Sequence, residues 1–231
     1  MDYGTVTAAL QAHGLRPRGG FHPAPGDGVP ALAGGRAAGT LILAGNVGPD
    51  MWRVFAAAPE FGRDPDPLDR WSERVLGVLA GLWGARALFP FAGPPCYPFV
   101  AWAKRAEAVV ESPLGMLIHP DHGLWHAYRG ALAFAGRIDL PPRDPRPSPC
   151  AACADKPCLA ACPVGAFRGA GYDVESCVKH IRAPSGAQCM NDGCRARRAC
   201  PIGRERAYQG AQARFHMDAF LRARRREEGE P

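Results

Sequence analysis

Apolar residues along the first 140 positions alternate between strand-like runs and helix-like spacing. Residues 40–44 form an apolar run bounded by glycine, which predicts a buried strand. Residues 67–83 follow Asp66 with apolar residues at helical spacing, which predicts an amphipathic helix. Further predicted segments are helices over 5–13, 51–58 and 98–110, strands over 87–91 and 125–134, an apolar run over 114–119, a turn over 45–50 and an irregular Gly- and Pro-rich arm over 14–39. The alternation of strands with helices predicts a layered α/β or α+β domain, and of the two we expect an α+β fold.

A proline-rich segment divides the chain. Five of the nine residues in 141–149 are proline, and this composition favours an extended connector. We therefore predict a first domain over 1–140, a linker over 141–149 and a second domain over 150–231. The second domain is expected to end in an amphipathic helix over about 205–224.

Cysteine is concentrated in the predicted second domain. Eight of the nine cysteines fall there, and Cys96, which stands alone, is expected to be a small buried apolar residue. Clustered cysteines in a cytosolic chain indicate metal ligands before they indicate disulfides. They form two runs of four, and both runs end in Cys-Pro: Cys150, Cys153, Cys158 and Cys162, then Cys177, Cys189, Cys194 and Cys200.

The two runs resemble the bacterial ferredoxins that carry two [4Fe–4S] clusters, with stretched spacings. In that pattern three cysteines of one run and the last cysteine of the other hold each cluster. The resemblance therefore implies one cluster on Cys150, Cys153, Cys158 and Cys200, and another on Cys162, Cys177, Cys189 and Cys194. The alternative is a pair of four-cysteine zinc sites, which is disfavoured because the chain has a single Cys-x2-Cys pair.

Residues 112–130 contain Ile-His-Pro, Gly, Trp and Arg-Gly in close succession. This order is similar to the CblC-type family, which processes cobalamin. The same segment followed by clustered cysteines is similar to epoxyqueuosine reductase, a cobalamin and [4Fe–4S] enzyme. These resemblances imply a corrinoid-binding domain with a flavin-reductase or nitroreductase-like fold, followed by a small dicluster ferredoxin-like domain. The residues they imply for the corrinoid site are Gly115, Ile118, His119, Pro120, His122, Gly123, Trp125, Arg129 and Gly130.

Two alternatives remain open within this segment. His119, His122 and His126 could form a metal site, although no strand or helix spacing places all three on one face. Arg129 could hold an anionic substrate or the corrin rim, or it could be an ordinary salt-bridged arginine. FMN is the alternative to cobalamin, because CblC-type folds are related to flavin reductases.

The net charge of +6 lies almost entirely in residues 194–231, which hold ten arginines and five acidic residues. These arginines could offset the negative charge of clusters or contact a nucleic acid such as tRNA, and we favour the first interpretation. No apolar run is long enough to span a bilayer and no secretory signal is recognised, so we expect a cytoplasmic protein without a membrane partner.

Together these features predict an iron–sulfur, cobalamin-binding oxidoreductase. It would take electrons from a donor protein and deliver them through its clusters to a base-off corrinoid, for cobalamin reduction, decyanation or dealkylation. The alternatives are a non-catalytic electron carrier or cobalamin chaperone, and tRNA modification of the epoxyqueuosine reductase type.

Overall fold

The computed structural model describes residues 1–63, 65–168 and 171–228, with side chains through residue 226. Residues 64, 169–170 and 229–231 of the two predicted domains lie outside the described residues. The helices are α1 (Tyr3–Gln11), α2 (Trp52–Ala56), α3 (Pro67–Trp83), α4 (Phe99–Ala106), α5 (Pro157–Ala160), α6 (Val174–Arg182), α7 (Ala187–Asp192), α8 (Arg195–Ala199) and α9 (Gly210–Glu228). The strands are β1 (Arg16–Phe21), β2 (Thr40–Val47), β3 (Arg86–Leu88), β4 (Val110–Glu111), β5 (Leu117–Ile118), β6 (His126–Phe134), β7 (Phe167–Arg168) and β8 (Gly171–Tyr172).

The chain folds into two compact units. Unit 1 comprises Met1–Ala108 and His126–Arg146, and unit 2 comprises Val109–Trp125 and the chain from Pro147 onward. Both units contain helices and strands, which confirms the mixed α and β composition predicted from the sequence. The finer ferredoxin-like and nitroreductase-like assignments stay predictions.

Unit 1 is built on an antiparallel sheet in the order β1-β2-β6-β3. All eight residues of β2 are buried, including the polar Thr40 and Asn46, so the apolar residues 41–44 have neither face exposed to solvent. The helix α3 has the predicted bounds, and it buries Trp71, Val75 and Leu79 while Leu82 is exposed. Helical spacing of apolar residues thus placed this helix correctly.

Two predictions in unit 1 are wrong, and both concern strands whose register shifts beside a glycine. β1 occupies part of the predicted irregular arm, and its register shifts between Pro17 and Gly20. Gly19 has φ +66°, and a Cβ there would lie 2.3 Å from the carbonyl oxygen of Ala106. The predicted turn at 45–50 begins later, at residue 48, because β2 continues through a register shift at Gly45 to Val47.

Other boundaries differ by smaller amounts. The predicted strand 87–91 is the shorter β3, and the predicted helix 98–110 ends at Ala106, before β4 begins. Cys96 is exposed, so the expectation of a buried apolar residue is wrong. The final helix α9 begins at Gly210, because a short 3-10 turn occupies Arg204–Arg206.

Unit 2 combines the cysteine region with the segment 109–125. β4 pairs with β5, and β7 pairs with β8, as two short antiparallel hairpins. Leu114, Ile118 and Leu124 form a buried apolar cluster with Cys158, Ala196 and Cys200. This packing places 109–125 in the same unit as the cysteines, although the chain reaches that segment before it completes the sheet of unit 1.

Within the described part of the chain, no helix is both long enough and apolar enough to cross a membrane.

Candidate functional site

The eight clustered cysteines line two cavities of unit 2, four to each. The cavity that we call the narrow cavity is lined by Cys150, Cys153, Cys158 and Cys200. The cavity that we call the wide cavity, of about 540 Å³, is lined by Cys162, Cys177, Cys189 and Cys194. The last cysteine of each sequence run therefore lies with the first three cysteines of the other run.

Electrostatic interactions between the thiols divide them in the same way. Cys150 interacts with Cys200, Cys158 and Cys153. Cys177 interacts with Cys162 and Cys189, and Cys194 interacts with Cys177 and Cys189. These interactions stay within the two sets of four that line the two cavities.

Short helices position the cysteines of the narrow cavity. Cys158 lies in α5, and Cys200 directly follows α8. Cys150 follows the proline-rich segment, and its backbone N–H donates to the hydroxyl of Ser148 at 3.3 Å. Burial is the main cause that raises the pKa of the Cys150, Cys158 and Cys200 thiols above the ordinary value.

Helix ends and hydrogen bonds position the cysteines of the wide cavity. Cys177 lies in α6, Cys189 lies in α7 and Cys194 precedes α8. Burial raises the pKa of the Cys177 and Cys194 thiols, while hydrogen bonds to both sulfurs act in the opposite direction. Because cluster and metal ligands are thiolates, loading either cavity would release protons.

The predicted corrinoid-site residues from 115 to 125 all lie in unit 2. Gly115 is in the turn between β4 and β5 and lines the wide cavity, while Ile118 lines the narrow cavity. Gly123 has φ +56°, and a Cβ there would lie 1.9 Å from the carbonyl oxygen of Ile202. These residues therefore support the cysteine region directly, which their sequence positions did not indicate.

The turn that contains Pro120 holds two of the three candidate histidines. His119 and His122 stack with ring centroids 4.2 Å apart, and Nδ1 of His119 accepts the backbone N–H of Asp121 at 3.0 Å. His126 begins β6 in unit 1. Over residues 1–63, 65–168 and 171–228, no group of three or more His, Cys, Asp or Glu side chains that could hold a metal ion was found.

The two remaining candidates, Arg129 and Gly130, lie on β6 in unit 1. Arg129 forms an ion pair with Asp69, and its Nε donates to the hydroxyl of Ser72 at 3.1 Å. Gly130 packs closely, because a Cβ there would lie 2.5 Å from the Leu76 side chain. The salt-bridge alternative for Arg129 thus describes its contacts in the structure.

Arginines that were expected to balance charge also have structural partners. The Arg197 guanidinium lies 4.4 Å from the ring centroid of Trp125 and 4.7 Å from that of Tyr208, and its Nε donates to the carbonyl of Leu124 at 3.1 Å. Arg198 donates to the carbonyl of Tyr208 at 2.9 Å. Sequence reasoning missed these contacts, because nothing in the local pattern pairs Arg197 with a distant tryptophan.

The structure is similar to two solved proteins with low sequence identity. One is epoxyqueuosine reductase from Streptococcus thermophilus, with a TM-score of 0.43 and 17% identity, covering 77% of this chain and 52% of that one. The other is a C. elegans B12-trafficking protein CblC, a human MMACHC homologue, with a TM-score of 0.49 and 15% identity, covering 94% of this chain and 93% of that one. They represent the two families that the sequence motifs resemble, and the chain spans about half the length of the reductase. No protein-family model and no curated protein sequence matches the chain.

Proposed function

We propose that the protein is an iron–sulfur reductase component, which holds two [4Fe–4S] clusters in unit 2 and delivers their electrons to a corrinoid. The observation that carries this proposal is the grouping of eight cysteines around two cavities, four to each. Cys150, Cys153, Cys158 and Cys200 would hold one cluster, and Cys162, Cys177, Cys189 and Cys194 the other. When bound, the clusters supply one-electron transfer at low potential.

The donor set suits a four-iron cluster. Such a cluster takes one thiolate on each iron, so its four cysteines surround a space. A single zinc ion instead requires all its sulfurs at about 2.3 Å from one point. Buried apolar residues such as Ile118 and Leu124 pack around the cysteines of the narrow cavity, and they would shield a cluster there from water.

The corrinoid acceptor is supported by the sequence of residues 118–130, which resembles the cobalamin families. In unit 2 this resemblance includes Trp125, whose ring is buried against Arg197. The chain would bind a base-off corrinoid and position it to accept an electron, while the reaction at cobalt belongs to the corrinoid itself. FMN is the alternative acceptor. Because both cysteine groups are complete within unit 2, a non-catalytic electron carrier is the second candidate function.

Anaerobic reconstitution with iron and sulfide tests cluster binding. We expect about eight iron and eight sulfide per chain, because two cubanes contain four of each. Stoichiometric zinc without sulfide would contradict the proposal, and four iron with four sulfide would leave one cavity without a cluster.

Cysteine variants test how the ligands are shared. If the last cysteine of each run crosses over, Cys200→Ser and Cys158→Ser should leave the same surviving cluster, with the same electron paramagnetic resonance spectrum. Cys162→Ser should match Cys189→Ser in the same way. Local pairing predicts the opposite result, in which the spectrum of Cys200→Ser matches that of Cys189→Ser.

Titration of the reconstituted full chain with hydroxocobalamin tests the acceptor. We expect the absorption bands of the corrinoid to shift on binding, and to shift again when a reductant is added. A Cys158→Ser chain should still bind the corrinoid but reduce it more slowly. Binding without reduction in the unsubstituted chain would favour the carrier function, and a flavin spectrum in the purified protein would favour FMN.

A further inference from the structure

We infer that Tyr172 and His180 donate hydrogen bonds to the cluster ligands of the wide cavity, and that they raise the reduction potential of that cluster above the potential of the other one. This inference rests on the proposed function, since it assigns unequal roles to the two clusters proposed there. Neither residue was singled out by the sequence, and neither is a cluster ligand.

The first donor is the phenol of Tyr172. Its side chain and that of Cys177 line the same wide cavity, and the electrostatics of the pair assign the hydroxyl as donor and the sulfur as acceptor. The ring is fixed across the β7–β8 hairpin, because it stacks on Phe167 with centroids 4.8 Å apart and planes 9° apart. The stacking limits the movement of the ring although the side chain is partly exposed, so the hydroxyl stays on the side of the wide cavity.

The second donor is the imidazole of His180. Its Nε2 lies 3.9 Å from Sγ of Cys189, and the side chain lines the wide cavity. A cysteine that is bound to iron is a thiolate and can only accept, so the proton of this pair belongs to Nε2. The bond joins α6, which carries His180, to α7, which carries Cys189.

Backbone donors complete the set around the wide cavity. The N–H of Ala166 donates to Sγ of Cys162 at 3.3 Å, and the backbone N–H groups of Ala196 and Arg197 donate to the side chain of Cys194. Every cysteine of the wide cavity therefore accepts at least one hydrogen bond. The narrow cavity has a comparable set of backbone donors, because the N–H groups of Leu159 and Ile202 donate to the side chains of Cys158 and Cys200. Its side-chain donor is the hydroxyl of Ser148, which is bonded to Cys150.

Hydrogen bonds to cluster sulfurs favour the reduced state, because reduction adds negative charge that is shared with the thiolates. Both cavities have backbone donors, so the difference lies in the side chains: Tyr172 and His180 donate in the wide cavity, where the narrow cavity has Ser148. The wide-cavity cluster therefore has the higher potential, and an electron shared between the two clusters resides on it.

Positive charges do not separate the two cavities in this way, because Arg195 and Arg197 line the wide one while Lys156 lines the narrow one and Arg204 interacts with Cys200. The difference between the clusters therefore rests on the two side-chain donors. Electrons would thus collect on the wide-cavity cluster before they leave the protein.

Tyr172→Phe and His180→Leu on the full reconstituted chain test this assignment. Tyr172→Phe keeps the ring and removes the hydroxyl, so the stacking on Phe167 is preserved. We expect each variant to lower the equilibrium constant for one-electron reduction of a single cluster about fivefold, which is about 41 mV at 59 mV per tenfold change. His180→Gln, which restores an N–H donor, should recover most of the loss, and Tyr97→Phe in unit 1 is the matched control.

The measurement is a reductive titration followed by electron paramagnetic resonance, with iron and sulfide assays on each variant. The titration is repeated in the Cys158→Ser background, which retains the wide-cavity cluster. A potential that also shifts in this background belongs to the wide-cavity cluster. The inference is overturned if neither potential moves, if both move equally, or if iron is lost from the Tyr172→Phe chain, since that would indicate a structural role. An unsubstituted chain that assembles no cluster would instead refute the proposed function.

Discussion

Gly115 and Gly123 show how much a single backbone position contributes to unit 2. Both have left-handed backbone angles, with φ +74° and +56°. A Cβ at Gly115 would meet nothing within 4 Å, whereas a Cβ at Gly123 would collide with the carbonyl oxygen of Ile202 at 1.9 Å. An alanine at either position would be strained by the left-handed backbone, but only an alanine at Gly123 would also collide with another part of the chain.

This difference gives a prediction. Gly115→Ala should lower the free energy of unfolding by about 1–2 kcal/mol, the cost of placing a side chain on left-handed backbone. Gly123→Ala should cost at least about 2 kcal/mol more, because the backbone at Ile202 must move. Chemical denaturation of the two variants measures both values, and equal losses would contradict the close approach.

The sequence predicted which residue types matter, but not their contacts. Eight cysteines with Cys-Pro endings identified a candidate cluster region, and the assignment of individual ligands stays a prediction. Arg129 could not be distinguished in advance from a binding residue, because its partner Asp69 lies on α3 and the pairing depends on how that helix packs on β6. Tyr172 and His180 lie between cysteines in the chain, and their hydrogen bonds depend on the fold of α6 and the β7–β8 hairpin.

Elements with a strong local signal were predicted well. α3 has Pro67 at its start, a left-handed Gly84 at its end and an apolar stripe between them, so local rules determine both ends. β1 has no such signal, because its sequence Arg-Pro-Arg-Gly-Gly-Phe lacks an apolar alternation. It becomes a strand by pairing with β2, and the buried Arg18 along it forms an ion pair with Glu107 at 2.7 Å.

The first helix offers a prediction on pH. Burial raises the pKa of Tyr3, the first residue of α1, to about 12, and the nearby Glu107 adds to the effect. The folded protein therefore keeps this phenol protonated at a pH where the unfolded chain, with a pKa near 10, has lost the proton. The stabilising contribution is fully present below pH 10 and is lost as the pH rises from 10 to 12.

Denaturation at a series of alkaline pH values measures this contribution. The free energy of unfolding should fall between pH 10 and 12, and Tyr3→Phe should make that fall less steep because one of the linked protons is removed. The unsubstituted chain at pH 8 is the reference for any loss of packing. An identical slope in the Tyr3→Phe chain would show that Tyr3 is as accessible in the folded state as in the unfolded one.

On the scale of the whole molecule, the two units are not two consecutive stretches of the chain, as the predicted single boundary at 141–149 assumed. Residues 109–125 precede β6 of unit 1 but fold with the cysteine region, because Leu114, Ile118 and Leu124 find their apolar partners there. Sequence composition marked the proline-rich segment at 141–149, and unit 2 does resume at Pro147. Composition could not reveal that residues 109–125 fold with unit 2, because a short apolar run is equally consistent with the core of either unit.

Cluster loading should therefore stabilise residues 109–125 together with the cysteines, and leave the sheet of unit 1 unchanged. A ligand that binds the folded form of unit 2 stabilises every segment that must fold to make its site. Hydrogen exchange of the apo and the reconstituted full chain measures this, with β2 as the internal control. Backbone amides in 114–125 and 189–200 should exchange at least about 100-fold more slowly after loading, since ligand at 100 times its dissociation constant contributes about 2.7 kcal/mol. If protection rises in 189–200 while 114–125 follows β2, the earlier segment belongs energetically to unit 1, and its contacts with Cys158 and Cys200 contribute little to the cluster site.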